Sequence, residues 1–85
     1  MINLNKEISL DYIELKLYKK EGNKKVLWCL YPDIHHIVRF LARHLLITEN
    51  PSATMSTIQY EEIFANNVVM INKLIEEDKK KRGIS

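Results

Sequence analysis

"YIELKLYKKEGNKKVLWCLY", residues 12 to 31, predicts an antiparallel β-hairpin. Ile13, Leu15 and Leu17 alternate with polar or aromatic neighbours, which is the period of two expected for a strand with one buried face. Gly22 suits the first position of a two-residue turn, where φ is positive. A helix through the first half of this segment is the alternative, but its apolar positions would scatter around the whole circumference. We therefore predict two strands joined at this turn.

The turn also determines which residues face each other across the predicted hairpin. Leu17 would pair with Trp28 and Leu15 with Leu30, and this pairing would make one face continuously apolar. The opposite face would be mixed, with Glu14, Lys16, Tyr18, Leu27, Cys29 and Tyr31.

The elements predicted on either side of the hairpin complete a small α+β domain. Residues 8–10 are out of phase with the first hairpin strand, so a third N-terminal strand requires a bulge or break near Asp11. Apolar residues recur at helical spacing over residues 33–48 and 57–82. We predict a single domain over residues 1–85, in which the hairpin packs on two α-helices in the order ββαα.

Capping residues mark where the two helices begin and end. Asp33 is a candidate N-cap or first-turn acid for the first helix. Ser56 and Gln59 have the spacing of a capping box, and Gly83 suits a left-handed helix end. The core face of the first helix would consist of Ile34, Ile37, Val38, Leu41, Ala42 and Leu45. That of the second would consist of Tyr60, Ile63, Phe64, Val68, Met70, Ile71, Leu74 and Ile75.

Composition narrows the classes of function. The chain of 85 residues is 46% hydrophobic and 28% charged, which is typical of a folded globular domain. The formal net charge of +2 is far from the strong positive excess of proteins that bind nucleic acid along their whole surface. A single cysteine, Cys29, excludes an internal disulfide and fits a reducing compartment.

Neither export nor a membrane span is expected from the sequence. The first ten residues lack a basic leader followed by an apolar core, and Arg39, Arg43 and His44 interrupt the longest apolar stretch. We therefore expect a cytoplasmic protein. The bias toward Lys, Ile and Asn is typical of AT-rich coding sequences, so an origin in a phage or mobile element is our hypothesis.

The histidines and the cysteine do not form a recognisable reactive site. His35 and His36 point about 100° apart on a helix, and His44 lies more than two turns from His36. Cys29 between Trp28 and Leu30 is typical of a small buried apolar residue. No glycine-rich phosphate loop is present. We predict no metal, no cofactor and no enzymatic activity.

The polar side of the first helix is the first candidate contact surface. His36, Arg39 and Arg43 form a stripe opposite the core face, with Phe40 and Ile47 beside it. Such a stripe could bind phosphates or an acidic protein partner. The ordinary interpretation is a solvated face, with Phe40 covered by the second helix or by the N-terminal segment.

Lysines at the hairpin tip are the second candidate surface. Protection of a sheet edge is the ordinary role of such residues. If they adjoined the stripe on the first helix, the two would make one cationic surface suited to a nucleic-acid backbone. The tip lysines are Lys19, Lys20, Lys24 and Lys25.

Asn67 stands in the middle of the apolar face of the second helix, so its amide needs a hydrogen-bond partner. An internal carbonyl of the hairpin or first helix is one candidate. The same residue of a second copy is the other, since a polar residue in a helix seam can determine oligomeric state.

Two classes of function remain open. The first is a small protein-interaction module, an inhibitor or adaptor that acts by occupying the surface of its partner. The second is a small nucleic-acid-binding regulator that uses the basic helix face and the hairpin lysines.

Overall fold

A computed structural model describes residues 2–49 and 55–83 as a sheet of four antiparallel strands followed by two helices. The strand order is β1-β2-β3-β4, so every strand pairs with its neighbour in sequence. The α+β class, the hairpin and the third strand are confirmed, and one further short strand precedes them. The elements are β1 (Ile2–Asn3), β2 (Ile8–Asp11), β3 (Lys16–Glu21), β4 (Lys24–Leu30), α1 (Ile34–Glu49) and α2 (Thr57–Arg82).

The hairpin turn forms where the sequence predicts it. Gly22 has φ of 61°, a conformation in which a Cβ atom would be strained. Next to the turn, Lys20 pairs with Lys25 and Tyr18 with Leu27, as the turn requires.

A β-bulge at Trp28 then shifts the register by one residue. Leu17 lies opposite Cys29 and Lys16 opposite Leu30, so the predicted pairs of Leu17 with Trp28 and of Leu15 with Leu30 are wrong. The bulge leaves Trp28 without a cross-strand partner and lets both Trp28 and Cys29 pack against the core. The predicted outer position of Cys29 is therefore also wrong.

The first hairpin strand is shorter than predicted, because residues 12–15 form a turn between β2 and β3. The Asp11 carboxylate accepts hydrogen bonds from the backbone amides of Ile13 and Glu14, each at 3.1 Å. Leu15 has φ of 58°, which no strand residue adopts. This turn is the break that the phase of residues 8–10 requires.

The core lies between the inner face of the sheet and the two helices. The predicted core face of α1 is confirmed, since all its members are buried except the half-buried Ile34. On α2 only Ile71 and Ile75 are buried. Met70 is 42% exposed, contrary to prediction, because it projects about 100° away from Ile71 around the helix. The largest fully buried side chains are those of Ile8, Leu10, Leu17, Ile37, Leu41, Leu46 and Ile71.

The predicted caps of both helices are confirmed. The Asp33 carboxylate accepts a hydrogen bond from the backbone amide of His36 at 2.9 Å, in front of α1. Ser56 and Gln59 form the reciprocal capping box of α2, and Gly83 ends that helix with φ of 72°.

A polar contact ties the C-terminal end of α2 to the turn that follows β2. The hydroxyl of Tyr12 donates to Asp78 at 2.5 Å, and the same carboxylate forms a salt bridge of 2.8 Å with Arg82. The hydrogen bond lowers the pKa of Asp78 and raises that of Tyr12. The same helix packs against α1 and also contacts β1.

Neither α1 nor the described length of α2 has the long apolar stretch that would be needed to cross a bilayer.

Leu41→Ala tests the location of the core. Leu41 is 0% exposed, and removal of its side chain should lower the free energy of unfolding by about 2–5 kcal/mol. Leu30→Ala is the control, because Leu30 is 63% exposed and its truncation should cost less than about 0.5 kcal/mol. Equilibrium urea denaturation measures both, and equal losses would contradict this packing.

Candidate partner-binding groove

An open cleft of about 390 Å³ lies between α1 and α2. Arg39, Phe40 and Arg43 line it from α1, and Tyr60 and Phe64 line it from α2. The two arginines are one helical turn apart, so their side chains leave the same side of α1. Tyr60 and Phe64 have the same spacing, and their rings are nearly parallel with centroids 6.3 Å apart. The cleft therefore combines aromatic walls with two cationic groups.

Neither guanidinium on this cleft has a salt-bridge partner among residues 2–49 and 55–83. Arg39 and Arg43 are both exposed. Arg82, by contrast, is engaged by Asp78. A guanidinium offers up to five donors in a planar fork, so each groove arginine can receive a carboxylate or phosphate in bidentate geometry.

Phe40 is half-buried rather than fully exposed. Its ring lies 5.2 Å from Trp28 in an edge-to-face arrangement and 5.5 Å from Tyr31. Phe40 is thus covered in part by aromatic residues at the end of the hairpin. The sequence suggests the second helix or the N-terminal segment as its cover. These contacts hold the ring in place while its remaining surface lines the cleft.

A second cleft of about 240 Å³ adjoins the first along α1. It shares Phe40 and Arg43 with the first cleft and adds His44 and Ile47. Ile47 is 51% exposed, so apolar surface continues toward the C-terminal end of α1. We call the two clefts together the Arg–aromatic groove.

His44 is an uncharged wall of this groove. Its ring lies 5.0 Å from Trp28 and is stacked at 6.1 Å on Phe40. Burial lowers the pKa of His44, and the nearby positive charge of Lys19 lowers it further. At neutral pH the imidazole therefore contributes an aromatic surface and no charge.

The hairpin lysines are divided between the two faces of the sheet. The Lys19 ammonium lies 5.3 Å from the centre of the Trp28 ring, next to the groove. Lys20 and Lys25 pair with each other on the opposite face, because successive strand residues alternate in direction. Lys24 lies opposite Glu21 beside the turn. Only Lys19 is thus brought to the candidate surface on α1.

His36 lies near the N-terminal end of α1 and does not line the groove. Its Nδ1 lies 2.7 Å from the Asp33 carboxylate, so the side chain belongs to the helix cap. That interaction also lowers the pKa of Asp33, through the backbone amide of His36 first and its ring second.

Tyr60, Phe64 and His44 line the groove, and the sequence pattern does not identify them as contact residues. Trp28 contacts two of the lining rings, those of Phe40 and His44. The pattern assigns Tyr60 and Phe64 to the core face of α2, whereas both are half-buried and leave part of their rings in the cleft. The aromatic pair one turn apart is visible in the sequence. That it faces the arginines depends on how the two helices pack.

Among the residues with described positions, no three His, Cys, Asp or Glu side chains are grouped so that they could hold a metal ion. Cys29 is half-buried against the core. Burial raises the pKa of the neighbouring Tyr31 hydroxyl, with a smaller effect from Cys29.

No protein-family model, curated protein or solved structure matches this chain significantly.

Asn67 has the internal partner that the sequence predicts as one alternative. Its side-chain amide donates to the backbone carbonyl of Ala42 on α1 at 3.1 Å. This hydrogen bond joins the two helices beside the groove. A role of Asn67 in self-association stays a prediction.

Asn67→Ala distinguishes the hydrogen bond within the chain from a role of Asn67 in self-association. Loss of the hydrogen bond to Ala42 should lower the free energy of unfolding by about 1 kcal/mol at every protein concentration. Asn66→Ala is the matched control, because Asn66 is exposed and the change in helix propensity is the same. Sedimentation of both variants checks the second role, since an oligomer that disappears only in Asn67→Ala would assign this residue to a subunit interface.

His44→Phe tests the pH dependence of the groove. Because the folded-state pKa of His44 is below 6.5, the unfolded chain binds the proton first as pH falls. The stability that neutral His44 contributes is therefore fully present above pH 6.5, and it is lost as the pH falls below that value. His44→Phe removes the titrating group, so the free energy of unfolding of this variant should decrease less steeply as the pH falls. His35→Phe makes the same change at an exposed site. Urea denaturation from about pH 7.5 to about pH 5 gives the slopes, and equal slopes in wild type and His44→Phe would contradict the assignment.

Proposed function

We propose that this chain is a small protein-interaction module that binds an acidic segment of a partner protein in the Arg–aromatic groove. One observation carries the proposal: Arg39 and Arg43, without salt-bridge partners among the described residues, flank a cleft walled by aromatic rings. Arginine and aromatic residues are the types that dominate binding energy in protein interfaces.

The spacing of the groove residues indicates the chemistry of the partner. The two guanidinium groups emerge from successive turns of α1, so they match two carboxylates at a similar spacing. An apolar or aromatic side chain between those carboxylates would rest on Phe40 or against the pair of Tyr60 and Phe64. Burial of that anchor lowers the local dielectric constant, which strengthens the ion pairs beyond those of an exposed surface.

A protein partner is favoured over nucleic acid by the distribution of charge. Lys19 is the hairpin lysine that adjoins the groove, while Lys20 and Lys25 lie on the other face of the sheet. The groove thus offers a short cationic track, whereas proteins that bind duplex DNA tightly neutralise about 6–10 phosphates. The apolar part of the groove, which includes Ile47, can be buried against apolar side chains of a protein partner. A phosphate backbone is contacted mainly through polar and charged groups and would leave this apolar surface without a matching contact.

Binding alone suffices for such a module to act as an adaptor or inhibitor, and we propose no catalytic step. From the bias toward Lys, Ile and Asn we further propose an origin in a phage or mobile element and an action on host machinery. The cytoplasmic location stays a prediction, which the single cysteine supports.

A labelled peptide of about ten residues, with two glutamates one helical turn apart and a phenylalanine between them, tests the proposal by fluorescence anisotropy. Arg43→Glu should weaken binding at least about tenfold, because it replaces a charge-assisted contact by repulsion. Tyr60→Ala should weaken it through loss of a wall of the cleft. Lys73→Glu is the control for charge, since Lys73 is exposed on α2 and does not line the groove.

Two further ligands make the result specific. The same peptide with glutamines in place of glutamates should bind weakly. Any binding of a single-stranded DNA of about twelve nucleotides should be the same for the wild type and for Arg43→Glu. If the glutamine peptide binds equally well, the acidic segment is the wrong partner. If only DNA binds, with an affinity that falls steeply with salt and is lost in Arg43→Glu, the nucleic-acid function replaces this one.

A further inference from the structure

The outer face of the sheet carries a second open cleft of about 390 Å³, at the end where the hairpin tip meets the segment between β1 and β2. We call it the Asn–Lys cleft. It is lined by polar and charged residues, among them Asn3, Asn5, Lys6, Glu7, Lys20 and Lys25.

The charges of this cleft are predominantly positive. Lys20 and Lys25 are directly opposite each other in the ladder between β3 and β4, a placement of like charges that disfavours folding. Lys6 adds a third ammonium, and Glu7 is the one acidic residue of the lining. A bound anion would relieve the repulsion between the lysines.

Hydrogen bonds within the cleft determine the orientation of Asn3. Its Oδ1 accepts from the hydroxyl of Ser9 at 2.8 Å and from the ammonium of Lys25 at 3.4 Å. Because an ammonium can only donate, the atom that it touches must be the amide oxygen. Ser9 is 5% exposed, so this contact is anchored in the sheet. The amide nitrogen of Asn3 keeps both protons for another acceptor.

Asn5 is oriented by the same logic. Its Oδ1 accepts from the backbone amides of Glu7 and Ile8, each at 2.8 Å, so its nitrogen also keeps both protons. The backbone of Lys20 donates to the carbonyl of Glu7 at 2.7 Å, which attaches this loop to β3. In the part of the chain with described positions, neither Asn3 nor Asn5 donates its side-chain amide to an acceptor.

We propose that the Asn–Lys cleft is a binding site for the phosphoryl group of a small phosphorylated molecule. The cleft presents ammonium and amide donors, and a phosphoryl group presents several oxygen acceptors together with negative charge. Its size lies in the range of small-molecule sites, about 300–1,000 Å³, so the ligand extends beyond a single phosphate ion. The site is independent of the Arg–aromatic groove, since it lies on the other face of the sheet.

Pyrophosphate is the probe for the first experiment. In a titration of the nitrogen-15-labelled full chain, the side-chain amide signals of Asn3 and Asn5 should shift and saturate. Lys20→Gln should raise the dissociation constant about tenfold, because one ammonium contact is lost. Lys24→Gln is the matched control, since it removes an equal charge from the same hairpin and Lys24 pairs with Glu21 outside this lining. An unchanged amide spectrum outside the cleft confirms that each variant is folded.

Comparison ligands distinguish the source of the phosphoryl group. ADP should saturate the same signals, and sodium chloride at matched ionic strength should not shift them. Shifts that never saturate, shifts reproduced by chloride, or equal weakening in Lys20→Gln and Lys24→Gln would overturn the proposal. A single-stranded oligonucleotide that saturates these signals while pyrophosphate and ADP do not would overturn it in favour of a nucleic-acid backbone.

Discussion

The contact of Trp28 with α1 is the interaction on which both the packing and the groove depend. The bulge leaves Trp28 without a cross-strand partner, and its ring lies edge-to-face against Phe40 and His44. Because Phe40 is held from one side by Trp28 and Tyr31, its other side remains available as a wall of the cleft. The same ring also receives Lys19, which places one hairpin charge at the groove. A single inserted residue thus joins the sheet, the helix and the candidate site.

Alternation along β3 separates the cationic residues of the hairpin into two groups with different surroundings. Lys19 shares the helix side with Trp28, and its ammonium lies over the Trp28 ring. Lys20 and Lys25 share the outer side, where asparagine amides and the loop after β1 surround them. The groove therefore suits a ligand that combines negative charge with an apolar anchor, whereas the cleft suits a compact, strongly hydrated anion. Neither surface contributes residues to the other, so occupation of one leaves the other accessible.

Local signals in the sequence were sufficient for the elements that depend on neighbouring residues. Gly22, the Ser56 capping box and the apolar period of α1 each depend on residues only a few positions apart, and each appears in the structure as predicted.

One part of the candidate site also depends only on nearby residues. Arg39 and Arg43 share a face of α1 because of helical geometry alone, so the cationic side of the groove could be predicted. Its aromatic side could not.

The two helices, their caps, the hairpin turn and the basic stripe are predictable from the order of the amino acids, because short-range hydrogen bonds and periodic burial specify them. Three features arise only when the chain packs: the bulge at Trp28, the carbonyl of Ala42 as partner of Asn67, and the meeting of Tyr60 and Phe64 with the arginines. Each of these joins residues far apart in the chain. Their geometry depends on how the helices and the sheet fill a common core, and no local pattern encodes that arrangement.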